Sequence, residues 1–174
     1  MFKRRRGQNW SVPGISDPGF LITRACIQSG IQVEALPGAT AFVPALTESG
    51  LPTDRFIFEG FLPQKKGRQT RIRQLAENNA TSIVYESPYR LVKLLETLRQ
   101  YAGGSRNAAV CREISKIHNE CKRGTLDELI AWFGANEPKG EIVVIIEGKE
   151  NGKDEEEEFG RDEYVKKQGK KTSK

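Results

Sequence analysis

Apolar residues along this chain keep switching between a helical period and a period of two. Between residues 17 and 30 the period is helical. Asp17 suits an N-cap and Pro18 the first turn, where its missing N–H costs nothing. Leu21, Ile22, Ala25 and Cys26 make one apolar stripe, and Gly30 closes the segment. Residues 31–36 then place Ile31, Val33 and Ala35 on one face, which predicts a strand. Pro37-Gly38 breaks it, and a second helix is predicted over residues 40–49, ended by Gly50. After LPTDR at 51–55, which reads as a linker, the alternation resumes. It predicts strands over 56–62, 82–86, 107–114 and 141–147, with a short one around Cys121. Between them fall a basic helix over 67–79, a helix carrying Leu91, Leu94, Leu95 and Leu98, and a helix opened by a Thr125/Glu128 capping box. The last strand, EIVVIIE, is apolar throughout, as in a sheet covered on both faces. Alternating strands and helices define an α/β class.

Composition adds limits to that outline. With 174 residues, 37% of them hydrophobic, the chain can bury a real core but little more than one domain. No stretch approaches the roughly 20 apolar residues that span a bilayer, so no membrane partner is expected. The basic opening MFKRRRG lacks the apolar stretch of a signal peptide. Cys26, Cys111, Cys121 and His118 form no metal-ligand spacing, so no metal is expected and the thiols are read as reduced and cytoplasmic. The net charge of +5 has a location. From Lys149 onward eight basic and eight acidic residues cancel, leaving 20 basic against 15 acidic in residues 1–148. A surplus in the folded part suits a polyanionic partner. The tail, 149–174, has almost nothing to bury and is predicted to be disordered. Residues 1–12 carry no periodic pattern.

Candidate chemistry lies where segments break into Pro, Gly or small residues. Four such breaks occur: PGISDPG at 13–19, PGAT at 37–40, GFLP at 60–63 and ESP at 86–88. In open α/β sheets, ligands sit outside the carboxyl ends of strands, against exposed main-chain groups.

GISDPGF, PGAT followed by ALTESGLPTDRF, then FEGFLP, YESPYR and REISKIHNE resemble successive landmarks of the ribosomal RNA small-subunit methyltransferase I family. That family is one of the tetrapyrrole-methylase-like, class III methyltransferases. The resemblance runs from Pro13 to Gly148. It implies the tetrapyrrole methylase fold, in which residues 13–50 are the remnant of an N-terminal Rossmann-like cofactor domain and residues 51–55 a linker. Residues 56–148 would be a smaller α/β domain with a mixed sheet. It further implies a cytoplasmic homodimer that binds S-adenosyl-L-methionine between its domains. The reaction implied is methylation of the 2′-hydroxyl of a cytidine in 16S ribosomal RNA of the small ribosomal subunit.

Carried over by position, Gly14, Ile15, Ser16 and Asp17 would belong to the cofactor loop of the first domain, and Pro37, Gly38, Ala39 and Thr40 to the turn backing the cofactor. Leu62, Pro63, Tyr85 and Glu86 would line its other side, mostly through the backbone. RGQNWSV at 6–12 does not match the family's segment there, so the first domain is read as incomplete, with weak cofactor binding and impaired turnover expected. Tyr89 stands where the family usually has His, and Asn119 where it has an acidic residue.

Candidates to take the ribose proton are Glu86, Glu113 and His118, the bland alternative being ion pairs of Glu86 with Arg90 and of Glu113 with Arg112. For RNA the candidates are Lys65, Lys66, Arg68, Arg71 and Arg73 around the basic helix, with Arg90, Arg112, Lys116 and Arg123. Two other readings stand beside the enzyme: a non-catalytic fragment that dimerises or binds RNA, and a methylase acting on a tetrapyrrole such as a corrin precursor.

Overall fold

Five consecutive apolar residues, Ile142–Ile146, form a strand whose every side chain is buried. Such a strand needs apolar cover on both faces, and the chain supplies it. In the computed structural model, which describes Ile15 and residues 19–149, this strand is β5. Before it come α1 (Gly19–Gln28), α2 (Phe42–Ser49), β1 (Phe56–Phe61), α3 (Arg68–Glu77), β2 (Thr81–Glu86), α4 (Pro88–Ala102), β3 (Asn107–Arg112), β4 (Glu120–Thr125) and α5 (Leu126–Ala135). The sheet order is β1-β2-β5-β3-β4. β1 and β2 are parallel, whereas β5 runs antiparallel to both β2 and β3, and β3 antiparallel to β4. The sheet is mixed, as expected.

The two faces follow the period of two. Val84, Ala108, Val110, Ile142, Val144 and Ile146 face a layer made by α3, α4 and α5. Leu91, Leu94, Leu95 and Leu98 of α4 lie at its centre, each fully buried. Ile83, Ala109, Cys111, Val143 and Ile145 point the other way, to Ala45 and Leu46 of α2. Local signals set the helix limits. Pro88 opens α4. In the capping box of α5 the Glu128 N–H donates to Thr125 Oγ1 at 3.3 Å while the Thr125 N–H donates to Glu128 Oε2 at 2.8 Å. Gly50 ends α2 at φ 71°, a left-handed turn that glycine adopts without Cβ strain.

Two expectations need correction. Residues 31–36 form no strand: they are exposed and carry no regular structure, because the described residues set no neighbouring strand beside them to complete a ladder. The stripe of α1 is not a packed face either, and none of its residues is buried. The other segments hold to within a few residues, and the region around Cys121 is a six-residue strand. Segment 51–55 is tied to β2, where Thr81 Oγ1 donates to Pro52 O at 2.7 Å and the Thr81 N–H to Arg55 O at 3.2 Å. Residues 1–12, the 13–18 turn apart from Ile15, and residues 150–174 lie outside the described residues.

Leu94→Ala is expected to lower the unfolding free energy by about 2–5 kcal/mol in urea denaturation, since it leaves a cavity at the centre of the helix layer. Thr125→Ala should cost about 1 kcal/mol in the same measurement through loss of the cap.

Candidate functional site at one end of the sheet

Because β5 is antiparallel to both its neighbours, β2 and β3 run the same way, and β1 joins them. Their carboxyl ends, Phe61, Glu86 and Arg112, therefore share one end of the sheet. The register places Ile142 between Glu86 and Arg112, and Arg112 opposite Glu120. Three connections gather there: residues 62–67, 87 with the start of α4, and 113–119.

β1 reaches this end through a bulge. Its register slips between Phe58 and Gly60, and buried Gly60 sits at φ 65°, a conformation open to glycine. The PGAT turn arrives from the α2 face. Pro37, Gly38 and Ala39 are exposed and Thr40 half-buried, and the chain passes directly into α2. There Phe42 stacks on Phe58 with ring centroids 4.5 Å apart, Phe58 meets Tyr85 edge-on at 5.1 Å, and Tyr85 meets Phe61 at 5.3 Å. This aromatic run connects the turn to the ends of β1 and β2. Burial pushes the Tyr85 phenol up, opposed by a hydrogen bond from the backbone N–H of Phe42.

Side-chain alternation splits the remaining candidates. Tyr85 faces α2, while Glu86 faces the helix layer and is closed off beneath Arg68 and Arg90. The Leu62 side chain is also packed into the helix layer, so Leu62 and Glu86 present main chain to the turn's side. Pro63 is exposed. Ile15 is exposed, and Gly14, Ser16 and Asp17 lie outside the described residues.

Residues 13–130 match the family model described as tetrapyrrole (corrin/porphyrin) methylases. The chain belongs to this family. It is 45% identical over 153 residues to "Ribosomal RNA small subunit methyltransferase I" of Synechocystis sp., across 84% of this chain and 55% of that protein. It is 46% identical over 138 residues to the protein of that name from Mycobacterium tuberculosis strain H37Rv, across 79% of this chain and 48% of that one. The chain thus spans about half the length of these curated relatives. Among solved structures, the methyltransferase CobJ superposes with a TM-score of 0.61 at 19% identity, covering 79% of this chain and 62% of that one. Uroporphyrin-III C-methyl transferase from Thermus thermophilus, complexed with S-adenyl homocysteine, does so with a TM-score of 0.56 at 21% identity, with the same coverages. These two establish the tetrapyrrole methylase fold.

In this family member the basic candidates are mostly paired. Arg68 and Arg90 both meet Glu86. Arg71 Nε donates to Glu59 at 2.7 Å, Arg112 Nε to Glu120 at 2.6 Å, and Lys116 Nζ to Glu113 at 3.0 Å and Glu141 at 3.2 Å. Lys65, Lys66, Arg68, Arg90, Arg112 and Lys116 belong to the strand-end cluster. Arg123 does not: its guanidinium is committed to the Glu48 carbonyl, where it serves the last turn of α2. Arg73 is an exposed residue of α3 with Glu77 nearby. One concavity runs along α4 at Glu96, Arg99 and Gln100, and another lies between β4 and α5 around Trp132.

The three candidate bases differ sharply. Glu86 is buried and ion-paired, so its Arg90 partner is as expected. Glu113 instead pairs with Lys116, while Arg112 takes Glu120. Glu113 adopts φ 50°, and Ser115 φ 62°, so both left-handed non-glycine residues among those described fall in this one loop. His118 is exposed on that loop.

A further correction concerns the thiols. Cys111 and Cys121 are direct partners across β3 and β4 and are joined as a disulfide, leaving Cys26 free. Ladder register, which residue spacing does not reveal, brings them together. Ligand atoms of Glu48, Cys111 and Cys121 lie within 4.8 Å of one another, but sulfurs bonded to each other are not thiolate donors. Sequence reasoning also missed Glu120 and Glu141, and Phe42, Phe58 and Phe61. The alternation of Phe56 and Phe58 in β1 was the available signal for the aromatic run.

The Glu113 carboxyl is held below the usual carboxylate range first by the Glu141 backbone N–H at 2.8 Å and then by Lys116. A depressed carboxylate stabilises the fold above the ordinary carboxylate range, and that contribution disappears as pH falls through its lowered value. The gap in melting temperature between the native chain and Glu113→Gln is therefore expected to be constant near neutrality and to close in acid.

Proposed function

We propose that this chain is part of an S-adenosyl-L-methionine-dependent enzyme that methylates the 2′-hydroxyl of a cytidine in small-subunit ribosomal RNA. The observation that carries the reading is the 40–46% identity to proteins named for small-subunit ribosomal RNA methylation, extending through both the turn at 37–40 and the strand ends. On this reading residues 13–50 are the end of a cofactor domain and 56–148 a second domain. The partner is the small ribosomal subunit, and the working form is a cytoplasmic homodimer. No helix of the described residues is long and apolar enough to cross a membrane.

The residues present fit an adenosyl ligand. The PGAT turn offers main chain without a charged side chain, and beside it Phe58, Tyr85 and Phe61 make an apolar wall suited to a flat base. Pro37, Gly38, Ala39 and Thr40 would hold the ligand from one side, and the backbone at Leu62, Pro63, Tyr85 and Glu86 from the other. Gly14, Ile15, Ser16 and Asp17 complete the proposed set. Bound there, the cofactor supplies a sulfonium methyl group that is reactive without further activation.

The protein's task is then largely orientation of the ribose oxygen, which can account for much of a rate enhancement. Glu86 is spoken for by two arginines, so proton removal falls to Glu113, His118 or solvent. The basic cluster at the strand ends positions RNA through its phosphates and leaves sequence choice to other contacts.

Two measurements test the reading. A gel shift with small-subunit ribosomal RNA is expected to show binding that weakens steeply with salt. Slow transfer of labelled methyl from S-adenosyl-L-methionine to a cytidine 2′-oxygen is expected, in keeping with impaired turnover, read by nucleoside mass spectrometry. RNA binding without methyl transfer would favour a non-catalytic role, and label in a corrin precursor instead of RNA would favour a tetrapyrrole substrate.

A further inference from the structure

Glu86 is the one charged residue among those described that is fully enclosed, its side chain only 1% exposed. A carboxylate taken out of water is costly unless its oxygens are satisfied. Here both are. Oε1 accepts from the Ser87 N–H at 2.8 Å and from Arg90 Nε at 2.9 Å, and Oε2 accepts from Arg68 Nη2. Arg68 is further tied through Nη1 to the Pro63 carbonyl at 3.4 Å, and its side chain is 13% exposed. Arg90 is different. Only its Nε is used, its side chain is 35% exposed, and among the described residues its two terminal amino groups have no partner. The trio carries one net positive charge, and that charge is presented at the first turn of α4, at the sheet end where the loops gather.

A free arginine loses rotamer freedom when it grips a ligand. An arginine pinned at Nε by a buried carboxylate has already lost it, and its planar fork matches two phosphate oxygens. We propose that Glu86 is a positioning residue that holds the Arg90 guanidinium ready for a backbone phosphate of the RNA substrate. The inference rests on the RNA reading above and gives one candidate site residue a role that reading left open. It assigns the Glu86 side chain to substrate positioning and not to the proton, while the Glu86 backbone stays in the proposed cofactor set.

The test is RNA affinity measured across a salt series, with a urea midpoint for each variant to confirm folding. Arg90→Ala is expected to weaken binding roughly ten-fold and to flatten the slope of log affinity against log salt by about one. Glu86→Gln gives the sharper result. Removing a negative charge beside an RNA site should tighten binding if charge alone matters, whereas loss of positioning weakens it. Weakening is expected, and it should vanish when Arg90 is already alanine. Arg99→Ala, at the far end of α4, should leave affinity unchanged.

Tighter binding by Glu86→Gln, or a loss of equal size in both backgrounds, overturns the proposal. Should Glu86→Gln fail to fold, Arg90→Lys decides. Lysine keeps the charge but cannot bond Glu86 and present a fork together, so affinity comparable to arginine overturns the proposal. Failure of the chain to bind small-subunit RNA at all refutes the RNA reading itself, while RNA binding indifferent to Arg90→Ala refutes only this inference.

Discussion

The ladder position of β5 sets the rest of the structure. By pairing antiparallel with both β2 and β3, it forces those two strands to run the same way, and their carboxyl ends fall together. It can hold that position because all five of its side chains are buried, covered by α2 on one face and the α3–α5 layer on the other. Hydrogen bonds supply the direction and apolar cover supplies the stability. A polar residue anywhere in Ile142–Ile146 would have no solvent to face.

From that constraint follows the division of labour at the strand ends. Residue 85 points to the α2 face and residue 86 to the helix layer, because successive strand residues alternate. The first belongs to an aromatic wall beside an uncharged turn, and the second sits at the centre of an ion-pair cluster. Neighbouring positions in sequence thus serve two chemically unlike surfaces, one suited to a flat apolar group and one to phosphate. The exposed ion pairs around the rim, such as Arg71 with Glu59, add little stability in water. Together with the Glu86 pairs they hold Arg68, Arg71, Arg90, Arg112 and Lys116, five of the nine basic candidates, so the number of basic side chains overstates the number free to meet a polyanion.

The chain's own pattern was enough to place the elements. Among the described residues, period-two and period-3.6 spacing, with an unbroken apolar run for β5, located five helices and five strands within a few residues, because burial on one face or on both leaves its mark directly on the order of residues. Caps were equally legible: Thr125 with Glu128, Pro88, and Gly50 each act through neighbours close in sequence. Segment 31–36 shows where this stops, since alternation states a capacity to pair and a ladder needs a partner beside it. The motif resemblance likewise carried the family, because loops that approach a ligand constrain residue identity more tightly than a helix surface does.

What tertiary structure alone decided are the pairings across long stretches of chain. Nothing near Arg112 marks Glu120 as its partner over Glu113, nor Glu141 as the residue that meets both Glu113 and Lys116. Cys111 and Cys121 meet through ladder register, and Arg123 turns from a plausible RNA contact into a cap for α2. Sequence fixes what each side chain can do over a turn or a strand, where geometry repeats. Which distant group it meets depends on strand order and register, and these are settled by the packing of the whole sheet.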